Sequence, residues 1–368
     1  VKEQNCRKVL IHYGSGSVKR SGLLDRIFAS LDEEGISYIS LGGVVPNPRL
    51  SLVYEGIDLC RREGVDFILA VGGGSVIDSA KAIGYGVENE GDVWDFYERK
   101  RQACGCLPIG VVLTIAAAGS EMSDSSVITN ENGWLKRGYN SSYCRPKFAV
   151  MNPELTMTLP KYQTASGCVD IMMHTMERYF TQGDNMELTD GISEHLLRTV
   201  MKNAKILMDE PQCYKARAEV MWAGSLSHNG LMACGNDGGD WACHQLEHEL
   251  GGMFDVAHGA GLAAVWGSWA RYVCDALPDR FEQFAVNVMG VENGDDKNAV
   301  IQKGIEAMEN FFRQIEMPTD LGGLNIEVSE DQMKELALKC SHFGKRTIGC
   351  VKKLNQEDIY RIYQKAAD

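Results

Sequence analysis

Residues 67–81 read FILAVGGGSVIDSAK, an apolar run that stops at three glycines and resumes at helical spacing. A short run of apolar residues without alternation is the mark of a strand buried on both faces, and those occur in parallel sheets. Gly72, Gly73 and Gly74 let a backbone approach an anion closely, and the amides of a helix start, with the positive end of its dipole behind them, attract one. Ser75 serves as an N-cap or as a phosphate or ribose partner. The pattern is not G-x-G-x-x-G. Judged alone it is equally a tight strand-to-helix connection; inside a strand–helix alternation it reads as a phosphate-binding turn.

That alternation is present on both sides. Upstream, Val9 to Tyr13 predicts a strand, Gly14-Ser15-Gly16-Ser17 a turn, and Leu23, Leu24, Ile27, Phe28 and Leu31 the apolar face of a helix. Ser37 to Leu41 predicts a second strand, Pro46-Asn47-Pro48 a break, and Leu50 to Glu63 a helix. Downstream, Gly110 to Thr114 predicts a strand followed by small residues up to Ser120 that leave space for a flat ring. Between Ser126 and Val150 the pattern gives short strands, VITN and KFAVMNP, joined by a polar turn containing Lys136 and Arg137. Residues 1–153 are therefore expected to form an α/β, Rossmann-like dinucleotide-binding domain with a parallel sheet. Residues 154–368 carry helical periods almost throughout, broken at Gly183-Asp184, Glu210-Pro211, Gly235 to Gly239, Pro278 and Pro318-Thr319, and are expected to form an all-α domain.

The helical half contains DWACHQLEHELGGMFDVAHGAG, Asp240 to Gly261, with three of the eight histidines. His244 and His248 lie one turn apart on one helix face. His258 is too far along for the same straight helix, which would carry it roughly 21 Å from His244. The chain is expected to turn back, with Gly251-Gly252 as the break and Asp255 and Gly259 permitting a loop around His258. Asp170 and His174 form a second i, i+4 pair with Ile171, Met172 and Met173 between them. A carboxylate and imidazoles on apolar helix faces are costly to bury unless something satisfies them, and a divalent cation does. One Asp with two or three His suits Zn²⁺ or Fe²⁺. His244-Gln245-Leu246-Glu247-His248 also spells H-x-x-E-H, the inverted zinc-protease signature with its glutamate as general base. His195, His228 and His342 lack partners at such spacing and read as surface or satisfied core residues.

With 37 Lys and Arg against 50 Asp and Glu, the formal net charge is −13, which disfavours nucleic acid and anionic membrane surfaces. No run of eighteen apolar residues and no signal peptide are visible, so a cytoplasmic location is the expectation. Twelve cysteines without a C-x-x-C read as reduced residues rather than a disulfide framework.

Taken in order, GGGSVIDSAKAI, VVLTIAAAGSE, Asp170-x-x-x-His174 and HQLEHELGGMFDVAHGAGLA resemble the iron-dependent, or group III, alcohol dehydrogenases along almost the whole chain. YGSGSVKRSGLLDRI, GGVVPNPR and MWAGSLSHNGL resemble the butanol dehydrogenase and NADPH-dependent aldehyde reductase branch. The resemblance implies a dehydroquinate synthase-like architecture, a cleft between the domains, commonly a homodimer, and a further segment with a strand before Val1. It implies interconversion of small primary alcohols and aldehydes by hydride transfer. It assigns one Fe²⁺ or Zn²⁺ to Asp170, His174, His244 and His258, leaves Glu247 without a catalytic role, and puts His248 beside the nicotinamide. Gly73, Gly74, Ser75 and Asp78 would meet the pyrophosphate and ribose, Thr114 and Ser120 would line the cofactor site, and Lys136 would reach a phosphate or ribose. No acid stands at Gly14, Ser15 or Ser17 to repel a 2′-phosphate, and Lys19 and Arg20 follow, so NADP(H) is expected to be favoured over NAD(H). The alternatives from other classes are an H-x-x-E-H metalloprotease and a non-catalytic nucleotide-binding regulator.

Overall fold

The computed structural model describes residues 1–183 and 185–367, so the expected turn at Gly183-Asp184 lies partly outside the described residues. The chain divides into two compact units: Val1–Ile115 with Gly119–Thr156, and Ala116–Ala118 with Met157–Asp368.

The first unit contains a five-stranded sheet and a separate hairpin. Strands β1 (Lys8–Gly14), β2 (Ser37–Val44), β3 (Phe67–Gly72) and β4 (Ile109–Leu113) are followed by the hairpin strands β5 (Ser125–Asn130) and β6 (Leu135–Asn140), and then by β7 (Phe148–Met151). The sheet order is β2-β1-β3-β4-β7, and every pair in it is parallel. All residues of β3 and β4 are buried, which is why both read as unbroken apolar runs. Strand β1 pairs with β3 at Tyr13 opposite Val71, and β3 with β4 at Gly72 opposite Leu113. The turns after β1, β3 and β4 therefore leave neighbouring strands at one edge of the sheet, their carboxyl ends, where open α/β sheets bind ligands.

One expectation of the sequence is corrected here. Lys136 and Arg137 lie within β6, paired with Thr129 and Ile128, and the turn falls at 131–134. Both side chains are buried, so polarity misled the reading: strand pairing decides the position, and long side chains can lie along a buried surface. VITN pairs with this strand, whereas FAVM closes the parallel sheet beside β4.

The second unit is helical. Its core gathers the Lys161–Tyr179, Glu187–Asp209, Ala242–Phe254 and His258–Val273 helices around Met172, Met176, Leu246, Leu250, Trp266 and Trp269. No helix among the described residues is long and apolar enough to cross a membrane.

Candidate functional site

In the first unit, Gly73 is the N-cap of the Gly74–Glu88 helix. A Cβ at Gly73 would lie 1.9 Å from Ile115 Cγ2, and one at Gly72 would lie 2.5 Å from Val76 Cγ2. Packing alone thus demands both glycines. The first-turn amides of a helix lack the acceptors that later turns have, and in this helix the Val76 amide turns back to Gly73 O at 3.0 Å. Ser15 and Ser17 are exposed in the turn after β1. Lys19 Nζ lies 5.1 Å from the centre of the Tyr13 ring, and Arg20 Nη1 lies 2.9 Å from where a Gly16 Cβ would stand. The Thr114 amide donates to Gly72 O at 3.0 Å, tying the ends of β3 and β4.

Asp78 and Ser120 meet each other. Ser120 Oγ donates to Asp78 Oδ1 at 2.6 Å, and the Val127 amide donates to Asp78 Oδ2 at 2.9 Å. Behind them stands Lys81, fully buried, its ammonium donating to oxygens of Ser120, Ser123 and Ser125 at 2.7–3.3 Å. A buried ammonium is tolerated only with such a complete set of acceptors. The sequence gives no signal for Lys81, because nothing in its helical spacing reveals three serines about forty residues away.

In the second unit, Asp170, His174 and His244 offer ligand atoms that all lie within 4.8 Å of one another, and all three side chains are buried. His258 Nε2 is 3.6 Å from Asp170 Oδ1, and His244 Nε2 is 3.7 Å from the same oxygen. Asp170 Oδ1 and His244 Nε2 make no hydrogen bond, although both are buried. His174 Nδ1 approaches Asp170 Oδ1 at 3.0 Å but directs its N–H to the Asp170 carbonyl, also 3.0 Å away. Two donors bound to one ion at about 2.1 Å each stand roughly 3.4 Å apart in a tetrahedral site. The spacing is too long for a hydrogen bond and close to that of two ligands on one cation, so this donor set fits a divalent ion.

The electrostatics agree. Burial opposes the charge of Asp170, but the neighbouring imidazoles of His174, His258 and His244 hold its carboxyl well below the usual range. Burial, reinforced by the charge of His244 and opposed by Asp170, pushes His174 down to about 4. Burial also works against protonation of His244, yet Glu177 and Asp170 outweigh it and raise this group to about 9.

His248 is buried on the same helix as His244, its ring centre 6.0 Å from that of His258 and 6.4 Å from that of His244. His228 packs its ring 4.0 Å from that of His174, with Nδ1 at 2.7 Å from Ala118 O. It is thus a satisfied core histidine beside the cluster, a contact that sequence spacing could not reveal. His195 is exposed and His342 half-buried.

The reversal that brings in His258 is also corrected. The Ala242–Phe254 helix runs through Gly251 and Gly252 and stops at Asp255, which takes the left-handed conformation at φ 54°. His258 opens the next helix, His258–Val273. Gly259 is no loop glycine: its Cβ would lie 1.9 Å from Ser166 O, so it permits close helix packing. Glu247 is wholly buried and hydrogen-bonded to His258 Nδ1, and Glu177 accepts from both the His244 amide and His244 Nδ1 at 2.9 Å. A glutamate engaged in this way cannot be the water-activating base of an H-x-x-E-H protease.

Residues 1–153 match the family model for iron-containing alcohol dehydrogenase, and residues 164–367 match that for the C-terminal part of the Fe-containing alcohol dehydrogenase family. The chain is 40% identical over 360 residues to NADH-dependent butanol dehydrogenase A of Clostridium acetobutylicum, covering 98% of this chain and 92% of that one. It is 34% identical over 363 residues to the NADPH-dependent aldehyde reductase YqhD of Escherichia coli, with the same two coverages. A crystal structure of NADH-dependent butanol dehydrogenase A from Thermotoga maritima superposes with a TM-score of 0.96 at 40% identity, covering 100% of this chain and 93% of that one.

Proposed function

The chain belongs to the iron-containing alcohol dehydrogenase family, and from that premise we propose that it interconverts small, butanol-like primary alcohols and their aldehydes, with one Fe²⁺ or Zn²⁺ and with NADPH favoured over NADH. The reaction class, NAD(P)H-dependent interconversion of alcohols and aldehydes, is that of its butanol dehydrogenase and aldehyde reductase relatives. The observation that carries the metal assignment is the pair of buried atoms Asp170 Oδ1 and His244 Nε2, 3.7 Å apart and without hydrogen bonds.

When bound, the ion supplies Lewis acidity toward the substrate oxygen and the nicotinamide supplies or accepts the hydride. The chain supplies the rest. Asp170, His174, His244 and His258 would hold the ion. The backbone at Gly73, Gly74 and Ser75 would bind the pyrophosphate, Gly14, Ser15 and Ser17 the adenosine end, and Lys136 a phosphate or ribose. Thr114, Asp78 and Ser120 would shape the cofactor site, the last two as a hydrogen-bonded pair. His248 would move the hydroxyl proton, a task open to an imidazole because it can take a proton at one ring nitrogen. The division after Asn152-Pro153 into a nucleotide-binding and a metal-binding domain belongs to the same reading, as does a cytoplasmic homodimer.

The test is the absorbance of NADPH after butyraldehyde is added to metal-stripped protein reloaded with Fe²⁺ or Zn²⁺. Consumption is expected only with an ion present. No consumption of NADPH or NADH with either ion would overturn the enzymatic reading.

A further inference from the structure

The H-x-x-E-H stretch leaves one residue without a task. Glu247 is fully buried in the helical unit, on the same helix as His244 and His248, and its Oε2 meets His258 Nδ1 across the chain reversal. The neighbouring helix accommodates it: a Cβ at Gly261 would lie 2.9 Å from Glu247 Cγ. A carboxylate only accepts, so the His258 Nδ1 carries the proton and the Nε2 lone pair points away from Glu247. That nitrogen is the one 3.6 Å from Asp170 Oδ1. Glu177 stands behind His244 in the same manner, with His244 Nε2 turned to Asp170 Oδ1. His174 differs, since its Nδ1 is held by the backbone carbonyl of Asp170.

We propose that Glu247 is a positioning residue of the metal centre: its carboxylate fixes the tautomer and ring angle of His258 so that Nε2 faces the ion, and Glu177 does the same for His244. The proposal rests on the metal-site reading. It also explains why ionisable groups that are costly to bury occur here together: with Asp170, the two glutamates set three carboxylates among the imidazoles around one doubly charged ion. Both oxygens of Glu177 accept, one of them from the amide of His244 in the first turn of its helix, so a glutamine there would turn an NH₂ group toward a donor. Glu247 is the position to change.

The experiment measures Zn²⁺ dissociation constants of the metal-stripped full chain by competition with a chromogenic chelator. E247A is expected to bind Zn²⁺ roughly 10–100-fold more weakly, the usual cost of losing an outer partner. E247Q keeps an acceptor but loses the charge assistance, and is expected to weaken binding about fivefold. Co²⁺ is expected to give the wild-type visible spectrum in E247Q and a weaker one in E247A. Wild-type Zn²⁺ affinity in E247A, with H258A impaired, would overturn the positioning role and leave the metal site standing. Should E247A fail to fold, unchanged affinity in E247Q overturns it instead. Wild-type affinity in H258A would bring down the metal-site reading and this proposal with it.

Discussion

The two units prepare their candidate sites by opposite means. The sheet unit offers backbone: glycines at the end of β3, exposed serines after β1, and the amides of a helix start. The helical unit offers side chains, namely one buried carboxylate and three imidazoles with glutamates behind two of them. A backbone site is specified by what its residues lack, so it is broken by adding bulk or charge. A side-chain site is specified by the atoms present, so it is broken by removing them.

The largest effect expected from this contrast is at the ligands. Asp170→Asn or His258→Ala should lower Zn²⁺ affinity by more than the roughly 100-fold that marks outer partners, and should remove turnover. NADPH binding, followed by its fluorescence, should persist in both. His248→Ala should keep its metal and lose turnover. Metal content at the wild-type level in purified, inactive His258→Ala would sink the ligand assignment, and metal loss in His248→Ala would make that residue a ligand.

Next come two pH effects of opposite sign, one in each unit. His244 is raised to about 9 by Glu177 and Asp170 against the effect of burial, so below that pH an incoming ion must displace its proton. Zn²⁺ affinity should climb about tenfold per pH unit between pH 7 and 9 and flatten above. Without the ion, the raised value stabilises the folded form below about pH 6.5, and that contribution is lost as pH rises through 9. In the sheet unit, burial lowers His12 to about 4, its ring lying between Leu41 O at 2.9 Å and Ser79 Oγ at 2.8 Å. Its contribution, about 3 kcal/mol, is present above pH 6.5 and lost as pH falls toward 4. Thermal melts of the metal-free protein should therefore fall off on both sides, and His12→Asn should flatten the acid side alone. An unchanged acid limb in His12→Asn would remove His12 as its cause.

How much of this could be read from the sequence follows the same division. The glycine turn, the parallel strands and the i, i+4 pairs are local patterns, and the structure repeats them. The need for a reversal before His258 followed from helix length, but not its location. Asp255 makes it in the left-handed conformation, because Gly251 and Gly252 are buried within the helix. Glu177 and Lys81 give no signal in the sequence, and Glu247 and His228 give none of the contacts they make, since each meets a partner brought close by tertiary packing. Periodicity assigns a residue to a face, not to the residue it meets there. Lys136 and Arg137 show the converse, with strand pairing overriding the local polarity.

Gly73→Ala tests the backbone site with a smaller change. The added methyl would meet Ile115 at 1.9 Å, costing about 1–3 kcal/mol of stability and displacing the helix start. The KM for the dinucleotide should rise severalfold while Zn²⁺ affinity stays constant. A lower metal affinity at unchanged KM would mean that the two sites do not depend on separate structural devices.

The smallest effect is the one that distinguishes one dinucleotide from the other. The turn after β1 carries no acid, Ser15 is exposed, and Lys19 and Arg20 stand within the next turn. An acid at this place would accept hydrogen bonds from the adenosine ribose and repel a 2′-phosphate; serine does neither, and nearby cations favour the phosphate. Among relatives of similar identity, one carries an NADH-dependent name and another an NADPH-dependent one, so the preference has to be measured on this chain. The unmodified protein should show a lower KM for NADPH than for NADH. Ser15→Asp puts a negative charge a few ångströms from where that phosphate would sit, in exposed surroundings where such a repulsion is worth about 1 kcal/mol. The kcat/KM ratio should thus shift toward NADH by about fivefold, chiefly through KM, at constant Zn²⁺ content. Equal or better efficiency with NADH before the substitution would reverse the cofactor assignment and leave the metal centre and the reaction class untouched.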